Sequence, residues 1–154
     1  MSSSIIPKRV YIDTNVFIYL LEDTGDFGRV AEALFSHLRA RAVPIVCSSL
    51  VYAECLTGAR KRKNEALADI YKTIFLGETA PDIVTPTVPI LERAAIISAD
   101  YGLKLIDAIH VATAVETACT LLISNDGGIR VPPPLSLCAI STLRDQPMTD
   151  WPIG

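Results

Sequence analysis

The feature that most narrows the fold is an alternation of two apolar patterns. Short β-branched runs at residues 9–12, 45–47, 82–85, 121–123 and 137–140 read as strands. Each is too short for a buried helix. Between them lie longer segments whose apolar residues recur at three and four positions, as Val30, Ala31, Leu34, Phe35 and Leu38 do. This spacing predicts helices over residues 14–21, from 27 to about 38, from 49 to 56, up to about 75, over 88–101 and over 106–117. Pro44, Gly58 and Gly102 read as their stops, and Pro132, Pro133 and Pro134 as an extended linker.

Strands that alternate with helices and carry unbroken apolar runs are buried on both faces. That pattern predicts an α/β domain: a three-layer α/β/α arrangement around a central, mainly parallel five-stranded sheet. The 154 residues suit a single domain. We assign residues 1–143 to it and residues 144–154, polar and carrying Pro147 and Pro152, to a loosely held tail.

Half the residues are hydrophobic, and the mean hydropathy is +0.36. The longest apolar stretches, near Ile96 and Val111, are interrupted by Asp100, Lys104, Asp107, His110 and Glu116. None approaches the roughly 18–20 residues of a membrane span. Such an apolar excess also fits a surface covered by a partner. Cys47, Cys55, Cys119 and Cys138 form no CxxC pair and read as buried free thiols in a reducing compartment. The amino-terminal ten residues lack a signal-peptide core, so a cytoplasmic location is expected. Fourteen basic against seventeen acidic residues, a net charge of −3, disfavour binding to nucleic acid through general charge alone. A local basic patch remains compatible with an acidic whole.

In a parallel sheet, ligands collect beyond the carboxyl ends of the strands, and acids stand out there. Asp13 ends the first strand, where it can equally serve as a helix cap. Glu54 lies in the apolar segment Leu50-Val51-Tyr52-Ala53-Glu54-Cys55-Leu56, where a lone buried charge is costly unless paired or metal-bound. Pairing with Arg60 or a neighbouring lysine is the alternative. Asp107 opens an apolar helix, a position that also suits the helix dipole. His110 shares its face and reads as a hydrogen-bonded packing residue. Asp126, within Asn125-Asp126-Gly127-Gly128, is equally at home in a plain turn.

Together, four acids on one rim would raise at least one pKa or require a cation. Oxygen ligands without a Cys or His cluster suit Mg²⁺ or Mn²⁺. No phosphate-cradling glycine loop, GxSxG or HExxH is present. Metal-assisted phosphodiester hydrolysis is the chemistry such a set would serve.

These segments, Val-Tyr-Ile-Asp13-Thr14-Asn15-Val-Phe, Ser49-Leu-Val-Tyr-Ala-Glu54, Asp107-Ala-Ile-His-Val-Ala-Thr-Ala and Ser124-Asn125-Asp126, resemble those of PIN domains. More narrowly they resemble VapC-type toxins of toxin–antitoxin pairs, over residues 10–140. The resemblance implies a five-stranded parallel sheet and a Mg²⁺- or Mn²⁺-dependent endoribonuclease. It implies Asp13 and Asp107 as principal metal ligands, with Glu54 and Asp126 binding directly or through water. Thr14, Asn15 and Asn125 would orient the acids or the scissile phosphate. Water would attack to leave a 5′-phosphate and a 3′-hydroxyl. The expected partners are RNA, a VapB-like antitoxin whose carboxy-terminal segment covers the acidic groove, and a second copy in a homodimer.

The chain departs from the family at Gly127-Gly128-Ile129, where a further acid and an aromatic are usual. Arg60, Lys61, Arg62 and Lys63 read either as a solvated helix start or as a steering patch for RNA phosphates. Competing readings are a PIN-fold processing nuclease, which usually carries extra domains, and a silent PIN-like binding module, which would lack one or more acids. A phosphoacceptor receiver domain would need an acidic pair after its first strand and a lysine after its last.

Overall fold

The computed structural model describes residues 7–153. Residues 1–6, part of the segment read as lacking a signal-peptide core, and Gly154 of the tail lie outside the described residues. The elements run β1 (Val10–Ile12), α1 (Thr14–Glu22), α2 (Asp26–Ala40), β2 (Ile45–Ser48), α3 (Ser49–Lys61), α4 (Glu65–Leu76), β3 (Asp82–Val84) and α5 (Val88–Tyr101). There follow α6 (Leu105–Glu116), β4 (Leu121–Ser124), β5 (Ser136–Ala139), α7 (Ile140–Asp145) and a 3-10 turn, Met148–Asp150.

The five strands form one sheet in the order β3-β2-β1-β4-β5, every neighbouring pair parallel. The expected α/β class and parallel sheet are therefore what the chain adopts. All of β1 is buried, because both its faces are covered. Val10 and Ile12 pack with Cys47, Leu121 and Ile123 into a core beneath α1 to α4 and α7. Tyr11 alternates to the other face and joins Val46 and Leu122 beneath α5 and α6. The chain winds from β1 to β2 to β3 in one direction, then returns to place β4 on the far side of β1. The crevice of such a sheet opens where that direction reverses, between the carboxyl ends of β1 and β4.

Three expectations are corrected. Gly58 does not end α3, which continues to Lys61. A Cβ at Gly58 would meet only the end of Arg62, 3.8 Å away, so the position is an ordinary, mildly unfavourable helix interior. The stop comes instead at Lys63, with φ 54°, before Asn64 caps α4. Arg60 and Lys61 thus close one helix rather than start the next, and cations there favour the negative end of its dipole. Ile140 starts α7 instead of ending β5.

The tail is not loose at Trp151 and Ile153, which are 4% and 0% exposed. The Trp151 indole N–H donates to the carbonyl of Leu143 at 2.9 Å, and its ring meets His37 edge-on. All four cysteines are buried and free, as expected, and burial pushes the Cys47 thiol up to about 12. Among the described residues, no helix is long and apolar enough to cross a membrane. Trp151→Ala is expected to lower the unfolding free energy by about 3–5 kcal/mol in urea titrations, as for other buried aromatics. A loosely held tail would give less than about 0.5 kcal/mol.

Candidate active site

Asp13 follows the last residue of β1 and is the N-cap of α1. Its backbone N–H donates to the carbonyl of Ile123 at 3.0 Å, which pins it to β4. Its Oδ1 accepts from the Thr14 N–H at 2.7 Å, and its Oδ2 from the Ser124 hydroxyl at 2.9 Å. The capping role and a place on the rim are therefore met by one carboxylate. Its side chain is 15% exposed, so it faces the crevice without standing in bulk water.

Glu54 sits in the second turn of α3. It pairs with neither Arg60 nor a lysine. Its Oε1 accepts from the Thr14 hydroxyl at 2.8 Å and from His110 Nε2 at 3.0 Å. The apolar sequence around it suggested full burial, yet its side chain is 39% exposed, because Ala53 and Thr57 give α3 a solvated face. The hydrogen bond from His110 is the main cause that holds the Glu54 pKa below its ordinary value, against the effect of burial. Burial alone would lower the His110 pKa. The hydrogen bond to Glu54 and the charges of Asp13, Glu54 and Asp107 outweigh it and raise the pKa. His110 Nε2 is also 3.8 Å from Asp13 Oδ1.

Asp107 lies in the first turn of α6. It has no hydrogen-bond or ion-pair partner among the described residues. Its pKa is raised, first by burial and then by the negative charge of Asp13, with Asp126 adding to the effect. Asp126 lies just beyond β4 in an exposed turn, where its Oδ1 accepts from the Gly128 N–H at 2.8 Å. Asp13, Glu54, Asp107 and Asp126 thus occupy one edge of the molecule, linked by shared partners or by charge.

The remaining residues singled out from sequence divide. Thr14 is buried and bonds both Asp13 and Glu54. Asn15 is exposed and makes no side-chain hydrogen bond among the described residues. Asn125 Oδ1 accepts from the Tyr19 hydroxyl at 2.6 Å. Arg60 pairs with Glu65 at 2.6 Å, and Arg62 pairs with Glu22. Lys61 and Lys63 have no ion-pair partner among the described residues. Sequence reading missed Ser124 and Tyr11, whose hydroxyl is 2.6 Å from His110 Nδ1. The available signal was a phenol in the middle of a buried strand, since a buried tyrosine hydroxyl needs a partner.

The PIN domain family model matches residues 10–132, a span that contains every one of these acids. The chain belongs to the PIN domain family. No curated protein sequence matches it significantly. Among solved structures, this PIN domain is similar to a chain of a toxin–antitoxin complex from Klebsiella pneumoniae, at 27% identity and TM-score 0.61, covering 81% of this chain and 92% of that one. VapBC2 from Rickettsia felis, bound to a promoter DNA fragment, has a similar chain at 18% identity and TM-score 0.65, covering 84% and 97%. VapC20 from Mycobacterium tuberculosis, a sarcin–ricin loop cleaving toxin, is similar at 16% identity and TM-score 0.65, covering 78% and 92%. The architecture is thus that of VapC-type proteins.

Because the Asp107 pKa is raised in the fold, its ionised form opposes folding. The fold is favoured below the ordinary carboxylate range, and that advantage is lost as pH rises through the raised value. Asp107→Asn should therefore raise the Tm of the metal-free PIN domain by a few degrees at neutral pH. The gain should vanish below the ordinary Asp value of 3.8, as checked by thermal denaturation across pH.

Proposed function

We propose that this PIN domain is a divalent-metal-dependent endoribonuclease and the toxin of a toxin–antitoxin pair. The reading rests on one observation: Asp13, Glu54, Asp107 and Asp126 line the carboxyl edge of a parallel sheet at its switch point. Burial first, and then the charge of Asp13, raises the pKa of Asp107 against the opposing charges of His110 and Lys104, so its ionised form is disfavoured at this edge.

The donor set consists of carboxylate oxygens, which suits Mg²⁺ or Mn²⁺. Among the described residues, no three His, Cys, Asp or Glu side chains are drawn into a metal-holding cluster. The fit is therefore one of donor chemistry, and it suits an ion that keeps several waters and takes few protein ligands, as Mg²⁺ does. Asp13 and Asp107 would hold it, with Glu54 and Asp126 acting directly or through water. When bound, such an ion lowers the pKa of water and offsets charge developing on the phosphate. The chain's own part is orientation: Thr14 and Ser124 fix Asp13, while Thr14 and His110 fix Glu54. Hydrolysis forms a bond from water oxygen to phosphorus and breaks the P–O3′ bond. The 3′ oxygen takes up a proton, leaving a 5′-phosphate and a 3′-hydroxyl.

The solved toxin–antitoxin complexes of similar fold support an antitoxin as partner. Val88, Leu91, Ile96, Leu105 and Ile106, exposed on α5 and α6, supply apolar surface for association, including a homodimer. A cytoplasmic location accords with four free cysteines. Thr14, Asn15 and Asn125 are assigned to orienting the acids and the scissile phosphate. Of the basic run, Lys61 and Lys63 are the residues available to phosphates, since Arg60 and Arg62 already face carboxylates.

Incubated with pooled tRNA, rRNA and mRNA, the chain should cut endonucleolytically with Mg²⁺ or Mn²⁺. Cutting should stop in EDTA and in Asp13→Ala or Asp107→Ala. Folded wild-type protein that binds RNA but never cuts would instead support a silent binding module. Lys61→Gln with Lys63→Gln should weaken RNA binding at all sequences alike. The salt dependence should flatten by about one unit of slope per lysine, measured by fluorescence anisotropy over a salt series.

A further inference from the structure

Tyr11 is fully buried in the central strand, and its hydroxyl sits between two polar groups. The Ser48 backbone N–H donates to it at 3.0 Å, and His110 Nδ1 lies 2.6 Å away. A backbone N–H can only donate, so the phenol oxygen is the acceptor there and keeps its own proton to give. Burial holds the Tyr11 pKa well above its ordinary value, so that proton stays. The nearby acceptor is Nδ1 of His110. A neutral imidazole that accepts at Nδ1 carries its proton on Nε2. Nε2 faces Glu54 Oε1 at 3.0 Å, and a carboxylate there can only accept.

The opposite tautomer fails at both ends. Tyr11 would receive two donors and strand its own proton in the core, while a lone pair on Nε2 would face the carboxylate. A doubly protonated ring would keep the Nε2 donor to Glu54 but would place a second donor against the Tyr11 hydroxyl.

We propose that Tyr11 and His110 form a positioning relay: Tyr11, anchored to the end of β2, sets the His110 tautomer so that Nε2–H holds Glu54 in the acidic rim. The relay deepens the metal-dependent nuclease reading above. Glu54 uses one oxygen for both its bonds, to Thr14 and to His110, which leaves Oε2 without a hydrogen-bond partner among the described residues. Neither Tyr11 nor His110 touches substrate in this scheme. They act through Glu54.

The test is Tyr11→Phe in the full chain, with two readouts that a merely structural role would not move. The first is the ¹⁵N signature of the His110 ring, assigned against His110→Gln and recorded where the ring is neutral. Wild type should show protonated Nε2, and Tyr11→Phe should show a shift toward protonated Nδ1. The second is Mn²⁺ affinity by electron paramagnetic resonance, which should fall roughly 10–100-fold, as for other residues that orient ligands. If Tyr11→Phe does not fold, His110→Gln and His110→Leu replace it. The glutamine, with one donor and one acceptor, should retain more Mn²⁺ affinity than the leucine. Wild type with protonated Nδ1, or a Tyr11→Phe protein with unchanged tautomer and Mn²⁺ affinity, overturns the relay. Wild type that binds no Mn²⁺, but whose tautomer shifts in Tyr11→Phe, upholds the relay and overturns the metal-dependent reading.

Discussion

A strand of three residues, hydrogen-bonded in parallel on both sides, carries the organisation of the site. β1 is central in the sheet, so its last residue delivers the chain to the crevice between two winding directions. The next backbone N–H, that of Asp13, is still tied to β4 through Ile123. Helix α1 begins at once, with the Thr14 amide donating to the Asp13 carboxylate. Strand pairing, capping and a partly solvated carboxylate are therefore a single local structure. Displacing β1 by one residue would invert which side chains enter each core, sending Tyr11 away from His110 and Val10 away from α1.

Polar support around the rim is uneven, and the unevenness has an electrostatic consequence. Asp13 receives hydrogen bonds on both oxygens, from Thr14 and Ser124. Glu54 receives two on one oxygen. Asp126 is occupied by its own turn. Asp107 receives none among the described residues and carries the raised pKa. Donors rigidify the first two acids, while Asp107, raised first by burial and then by the charge of Asp13, has only the longer-range charges of His110 and Lys104 to oppose the shift. A carboxylate left in that condition lowers stability and raises affinity for a cation, the usual opposition between stability and function at charged sites.

What could be read from the sequence follows the range of the interactions involved. Strand and helix periodicity are local, and the acids at strand ends follow from one rule about parallel sheets, so both were legible. Gly58 misled because a glycine signals a stop only when the backbone beyond it bends, and here the bend waits for Lys63. The tail misled because its polar composition hides Trp151 and Ile153, whose burial depends on a gap beside α2 and α7 that no local pattern announces. The Tyr11–His110 contact joins residues 99 positions apart. Tyrosine in a strand and histidine on a helix each look like packing residues until the fold brings them together. The basic run was legible as charge, while the loss of two of its four cations to Glu65 and Glu22 was not.

The departure at Gly127-Gly128 has a physical account in the same terms. A Cβ at Gly128 would lie 3.2 Å from Asp126 Oδ1, and one at Gly127 would lie 3.2 Å from the Ala139 Cβ. Both distances are tight, so the turn is pressed between Asp126 and the end of β5. The glycines let the Gly128 N–H reach the Asp126 carboxylate, holding that acid in an exposed loop that offers it little else. A larger, acidic residue there would push the carboxylate outward and add a like charge beside it. The turn thus keeps a self-contained hold on the one acid it carries and adds no further negative charge beside it.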